Sequence, residues 1–165
     1  MSDHVEAMIH LVRHAIARGR SSWAESDALR PLTAHGLAQA EAIGERLASG
    51  GAITAVRTSP ARRCIETVAP TARRLALALE ETEHLAEGSD PDESLRRLIA
   101  EASAPGVAQA IVACTHGDVI DGVLGALIES KIEIDGPLIA PKGSTWQLVL
   151  RDGRLARARY VAPPP

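Results

Sequence analysis

The chain has 165 residues, 45% of them hydrophobic, and its 18 basic and 21 acidic residues give a net charge of -3. That length and apolar content suit one domain, residues 1–165, with a substantial buried core. The balanced charge, without basic stripes or blocks of like charge, excludes a broad nucleic-acid or anionic-membrane surface, so an anionic ligand has to be caught by a local cluster.

The chain opens on MSDHVEAMIH, with acids where a secretory leader would carry lysines, and no apolar run approaches the ~20 residues of a membrane span. Cys64 and Cys114 both fall inside apolar patterns. They offer no disulfide framework and read as small core residues of a reducing, cytoplasmic protein.

Met8 to Val12 is an apolar run interrupted only by His10, which predicts a buried central strand with Arg13 and His14 at its C-terminal end. Residues 15–31 form a long connection whose Arg18, Arg20 and Trp23 suggest a rim over that end. From Thr33, a good N-cap, Leu37, Ala40, Ile43, Gly44 and Leu47 recur at helical spacing until Gly50 and Gly51 stop the pattern. Ile53 to Thr58 is a second strand. Ser59 and Pro60 then supply an N-cap and a first-turn proline for a helix facing inward through Ala61, Cys64, Ile65, Val68, Ala72 and Leu75. Pro70 predicts a kink or break there, because proline removes a backbone donor.

Asp90, Pro91 and Glu93 repeat the start signal for a third helix, which faces inward through Leu95, Leu98 and Ile99. Ala108 to Cys114 is another buried strand, followed by THGD and a helix periodic through Val119, Ile120, Val123, Leu124, Leu127 and Ile128. Strands over 144–150 and 154–161 flank Asp152 and Gly153, a pair that favours a tight hairpin turn.

Alternating strands and helices imply a three-layer α/β/α sandwich with a largely parallel central sheet, in which ligands bind beyond the carboxyl ends of the strands. Arg13, His14, the Ser59 turn and His116 all map to such ends. Histidines and arginines gathered there, without a glycine-rich loop or an acidic metal cluster, suggest phosphate chemistry run by side chains. An arginine fork holds two phosphoryl oxygens, and a neutral imidazole can attack phosphorus.

LVRHA, RPLTAHGLAQA (30–40), TSPARRCIET (58–67) and CTHGD (114–118) together resemble the histidine phosphatase superfamily, also called phosphoglycerate mutase-like. The short length is most similar to SixA-type phosphohistidine phosphatases. The closing KGSTWQLVLRDGRL is similar to phosphatase domains that follow Nudix hydrolases in actinobacteria. The resemblance implies a bacterial, metal-independent, cofactor-free phosphatase acting on phosphohistidine proteins or phosphomonoesters, with nucleotides and other small molecules as alternative substrates. By it, His14 is the nucleophile, Arg13 and Arg63 hold the phosphoryl oxygens, and His116 donates a hydrogen bond to the group in flight. The pattern Ser-Pro-x-x-Arg followed by Thr67 selects Arg63 over Arg62. Ala15 stands where the family usually has glycine, and Arg18 is the candidate for a further phosphate ligand in 17–20.

The proton needed by an alkoxide leaving group has two candidate donors. Glu87 follows Leu85 as the acid does in many phosphomonoesterase relatives, whereas Asp118, at a helix start, reads first as a cap. Taken singly, His4, His10, His35 and His84 read as structural or solvated, and Arg18, Arg20, Arg30 and Arg62 as surface charges. His10 and His14 lie on one face of a strand, more than ~10 Å apart, too far to share a metal. A non-catalytic phosphate-binding module is the rival from another class, but simple binding would not need paired histidines.

Overall fold

Seven strands and four longer helices make up the described part of the computed structural model, which covers residues 6–105 and 110–165. His4 and the first two residues of the strand expected over 108–114 lie outside it. In chain order the elements are β1 (Glu6–Arg13), α1 (Ala34–Ser49), β2 (Ile53–Thr58), α2 (Arg62–Leu75), β3 (Leu79–Glu81), α3 (Pro91–Ala102), β4 (Ala110–Thr115), α4 (Gly117–Glu129), β5 (Glu133–Asp135), β6 (Thr145–Arg151) and β7 (Arg154–Val161). No helix among the described residues is long and apolar enough to cross a membrane.

The strands form one sheet in the order β3-β2-β4-β1-β6-β7-β5. The β3-β2-β4-β1 half is parallel; β6 pairs antiparallel with both β1 and β7, and β5 adds in parallel to β7. Side chains alternate between the two faces of the parallel strands, as the period of two requires. Ile9, Leu11, Ile111 and Ala113 join Leu98, Ile120 and Val123 of α3 and α4 in one core. Val12, Val56, Val112 and Cys114 join Ile43, Leu47, Cys64 and Val68 of α1 and α2 in the other. Two cores around one sheet are the expected three layers.

Helix starts largely follow their sequence signals. Thr33 accepts a hydrogen bond from Gly36 N at 3.0 Å, and Asp90 accepts one from Asp92 N at 3.0 Å. Ser59 does not cap α2, which begins two residues later behind Ala61. Its hydroxyl accepts from Ala61 N at 3.3 Å, just ahead of the helix, and lies closer, at 2.8 Å, to His116 Nε2. Helix α2 also runs through Pro70 without breaking. At that level Gly44 of α1 lets the helices approach so closely that an added Cβ would sit 3.1 Å from Pro70.

Two residues of the expected apolar faces are exposed, Leu37 at 46% and Ile128 at 52%. Each follows a buried residue, Gly36 or Leu127, and one step along a helix turns the side chain by about 100°. Gly36 takes the inward position because its missing side chain admits the Ile16 carbonyl, which would lie 2.0 Å from a Cβ. The hairpin at Asp152 and Gly153 forms as expected, with φ of 52° and 74°. The short edge strand β5 carries no periodicity long enough to announce it.

Candidate active site

Three parallel strands end beside one another, and each delivers polar groups to the same place. β1 ends in Arg13 and His14, β2 leads into Ser59, and β4 leads into His116. The backbone of His14 is pinned by its N–H to Thr115 O at 3.1 Å, and the carbonyls of Arg13 and His14 both accept from Gly143 N. A strand end fixed on both sides leaves the His14 ring little freedom, which is what a positioned nucleophile requires.

His14 is 5% exposed, and its Nδ1 lies 2.8 Å from Ala15 O. A carbonyl only accepts, so Nδ1 carries the proton and Nε2 keeps the lone pair. Burial lowers the His14 pKa to about 3, and the charges around it, His116, Arg63 and Arg13, act in the same direction against the bond to Ala15. At neutral pH the ring is therefore an uncharged imidazole with one unprotonated nitrogen.

His116 is 2% exposed, with ring centroids 5.5 Å from His14 at an interplanar angle of 63°. Its Nδ1 lies 3.3 Å from the Arg63 guanidinium. Its Nε2 lies 2.8 Å from Ser59 Oγ. Cys64 Sγ is 3.5 Å from the same Nε2, so this cysteine touches the site as well as the core; Cys64 and Cys114 are both buried and free.

Arg63 is 1% exposed, and Thr67 explains how it is held. The Thr67 hydroxyl donates to Arg63 O at 2.6 Å and accepts from Ala15 N at 2.9 Å, linking α2 to the residue after His14. The RPLTAHGLAQA stretch acts on the next residue. Ile16 O accepts from both Thr33 N and Thr33 Oγ1, Ile16 N donates to Gln39 Oε1, and Gly36 leaves room for that carbonyl. These bonds fix the loop immediately behind His14.

Arg13 donates from Nη1 to Ala140 O at 2.6 Å, while its buried Nε has no partner. Gly117 packs against the face of this guanidinium, and a Cβ there would meet Arg13 Cζ at 2.9 Å. Sequence reading gave Gly117 no role. Its requirement comes from an approach between residues far apart in the chain.

The remaining sequence candidates divide. Glu87 reaches the site, with one oxygen 2.5 Å from Arg20 and the other 3.3 Å from Arg63. Asp118 lines the depression around His14 as well, and it accepts from Gly88 N at 2.7 Å, so it holds the turn that carries Glu87 rather than capping its own helix. Arg18 is not among the residues lining the pocket; its guanidinium lies 5.4 Å from the Trp23 ring centroid. Arg30, read as a surface charge, is 5% exposed and braces the 15–31 loop through Asp27 Oδ1 and Arg18 O.

Asp27 also escaped the sequence reading. Its carboxylate lies 3.2 Å from Arg63 and 3.5 Å from Arg20, and its carbonyl accepts from Arg63 at 3.0 Å. Burial pushes its carboxyl up, but the hydrogen bond from Arg30 and the charges of Arg63, Arg30 and Arg20 outweigh this and hold it below the usual carboxylate range. No local pattern in the loop marks this residue.

Together these groups line two adjoining depressions of about 440 and 240 Å³ that share Glu87 and His116. The larger is lined by four cations, Arg13, Arg20, Arg30 and Lys142, and three carboxylates, Glu87, Asp118 and Asp121, around His14 and His116. Burial, followed by the charges of Arg13, Arg30, Arg20 and Arg63, lowers the Lys142 pKa. Arginines and a lysine beside a neutral histidine can hold a phosphoryl group.

A sequence model of the histidine phosphatase superfamily (branch 1) matches residues 9–92. An 8-oxo-(d)GTP phosphatase of Mycolicibacterium smegmatis is 36% identical over 157 residues, 93% of this chain and 48% of the relative, so the chain spans about half the length of that relative. Among solved structures, a SixA protein of Nakamurella multipartitia superposes with a TM-score of 0.71 at 23% identity, over 97% of this chain and 98% of the other. The protein histidine phosphatase SixA complexed with tungstate gives 0.70 at 19% identity, over 94% of each chain. A mycobacterial glucosyl-3-phosphoglycerate phosphatase complexed with VO3 gives 0.66 at 18% identity, over 97% and 99%.

Proposed function

The chain belongs to the histidine phosphatase superfamily, and on that premise we propose that it hydrolyses phosphohistidine or phosphomonoesters through a covalent phosphohistidine on His14, without a metal. The observation that carries the reading is the His14 ring itself. Its proton is committed to Ala15 O, and Nε2 is left unprotonated in a cation-lined cavity.

In this mechanism Arg13, Arg63 and His116 contact the phosphoryl oxygens, and the cationic groups stabilise the charge that builds on them in flight. His14 Nε2 forms the N–P bond as the bond from phosphorus to the leaving group breaks. A proton taken up by Glu87 as the phosphate displaces it from Arg63 passes to a leaving alkoxide, and the carboxylate then takes one from the water that attacks the phosphohistidine and releases inorganic phosphate. In the unliganded site Asp27 and Glu87 neutralise Arg63, and an entering phosphate takes over that pairing.

A second reading, a nucleotide substrate, is favoured by the 36% identity to the 8-oxo-(d)GTP phosphatase. Arg20 and Lys142 at the cavity wall suit further phosphate groups. Turnover of a phosphohistidine peptide, a nucleoside di- and triphosphate series and an alkyl phosphate, measured side by side, separates the readings. The proposal expects kcat/KM well above background for at least one class, with inhibition by vanadate. No turnover of any class, with phosphate still bound, would leave only a binding module.

A further inference from the structure

A second cavity, of about 350 Å³, opens between the C-terminal half of α1 and the strands β1 and β6, and shares no lining residue with the depressions around His14. Arg46 reaches it from α1. Its two hydrogen bonds, to Thr145 Oγ1 at 3.3 Å and Ala162 O at 3.4 Å, are both long. Among the described residues no carboxylate pairs with it, and burial lowers its pKa. A half-buried cation with spare donors and no counter-charge is costly unless something completes it.

His10 faces the same space from β1. It is 9% exposed, and its Nδ1 has no hydrogen-bond partner. Burial, followed by the charge of Arg46, lowers its pKa to about 4, so the ring is neutral at pH 7. Gln147 stands opposite His10 in the β1–β6 register and lines the cavity too. Four polar side chains, Arg46, His10, Gln147 and Thr145, thus line the cavity, while Met8, Leu47 and Val161 supply apolar wall.

We propose that this cavity is a second ligand site, taking a small organic monoanion: a carboxylate held by Arg46, with neutral hydrogen bonds from His10, Gln147 and Thr145, on a short aliphatic body. The charge count selects the monoanion. One unneutralised guanidinium matches one carboxylate in a bidentate fork, whereas a dianionic phosphate would leave buried negative charge uncompensated. A few apolar walls with a few convergent polar groups are the usual make-up of a small-molecule pocket. The site is separate from the phosphatase reading and does not depend on it.

The test is titration of the full chain with hexanoate, followed by calorimetry and by NMR of the histidine rings and arginine side chains, with hexanol as the uncharged control. The expected result is one saturable site per chain that shifts the His10 and Arg46 signals and leaves those of His14 and His116 in place. Hexanol should bind at least about tenfold more weakly, equivalent to ~1.4 kcal/mol. Arg46→Met should remove binding while aryl phosphate turnover is unchanged. Should that variant fail to fold, Gln147→Leu should weaken binding in its place. No saturable shift up to about 10 mM hexanoate, equal binding of hexanol, undiminished binding by the variants, or shifts confined to His14 and His116 would each overturn the proposal.

Discussion

The floor and the rim of the pocket are built on different terms. Arg63, His14 and His116 on the floor are between 1% and 5% exposed, and they hang from strand ends or a helix through buried hydrogen bonds. On the rim, Arg20, Asp27 and Glu87 have side chains 63%, 45% and 44% exposed, sit on loops, and are joined mainly by ion pairs. Buried bonds of this kind are expensive to leave unmade, whereas exposed ion pairs contribute about 0 to 1 kcal/mol. On the proposed mechanism the floor carries the phosphoryl group, and the rim meets the leaving group, with Glu87 as its proton donor. Variants on the two should differ in size and in kind.

The largest effect is expected at His14. His14→Ala should lose on the order of 10⁴-fold or more in kcat with the fold intact, read by turnover and circular dichroism. Arg63→Ala should cost about 10²- to 10³-fold and weaken vanadate binding; unchanged vanadate affinity would move the oxyanion contact elsewhere. Glu87→Gln should act selectively. It should slow formation of the phosphohistidine from an alkyl phosphate about 10²-fold and leave its formation from a p-nitrophenyl ester or a phosphohistidine peptide nearly untouched, because those leaving groups need little help from an acid. A uniform loss would make Glu87 a floor residue after all.

Gly117→Ala tests the floor from behind. Its new Cβ would press on the Arg13 guanidinium, and an overpacking cost of ~1 to 3 kcal/mol should appear as about a 10-fold loss in kcat/KM with a small drop in Tm. The smallest expected change concerns pH. His10 and His14 hold folded pKa values of about 4 and about 3, against an ordinary 6.5. Unfolding therefore takes up protons below pH 6.5. The stabilisation is complete above that value and is lost as pH falls toward 4 and then 3, by about 1.4 kcal/mol per pH unit for each histidine. His10→Leu should flatten the fall in Tm between pH 6 and 5, and an unchanged slope would contradict a neutral His10.

How much of this was legible in the sequence varies with the kind of signal. The strand ends at His14 and His116, the helix starts at Thr33 and Asp90 and the turn at Asp152 are short-range patterns, and such patterns can be read from one chain. Ser59 does accept a backbone N–H ahead of α2, but the helix starts behind Ala61, and the contact of its hydroxyl with His116 is a tertiary fact that no local pattern carries. Gly36 and Gly117 look like ordinary helix glycines until the Ile16 carbonyl and the Arg13 guanidinium are brought against them. Asp27 and Arg30 sit in an irregular loop with no periodicity, and only the fold shows that one reaches Arg63 and the other is buried. Long-range proximity is the common element in what escaped.

Transfer of a phosphoryl group to His14 can be caught by quenching the enzyme within one turnover of a ³²P-labelled substrate and mapping the label. An acid-labile, base-stable phosphate should sit on the peptide containing His14, formed and discharged at rates that match turnover and absent from His14→Ala. Full turnover with no label on that peptide, or turnover retained by His14→Ala, would contradict it.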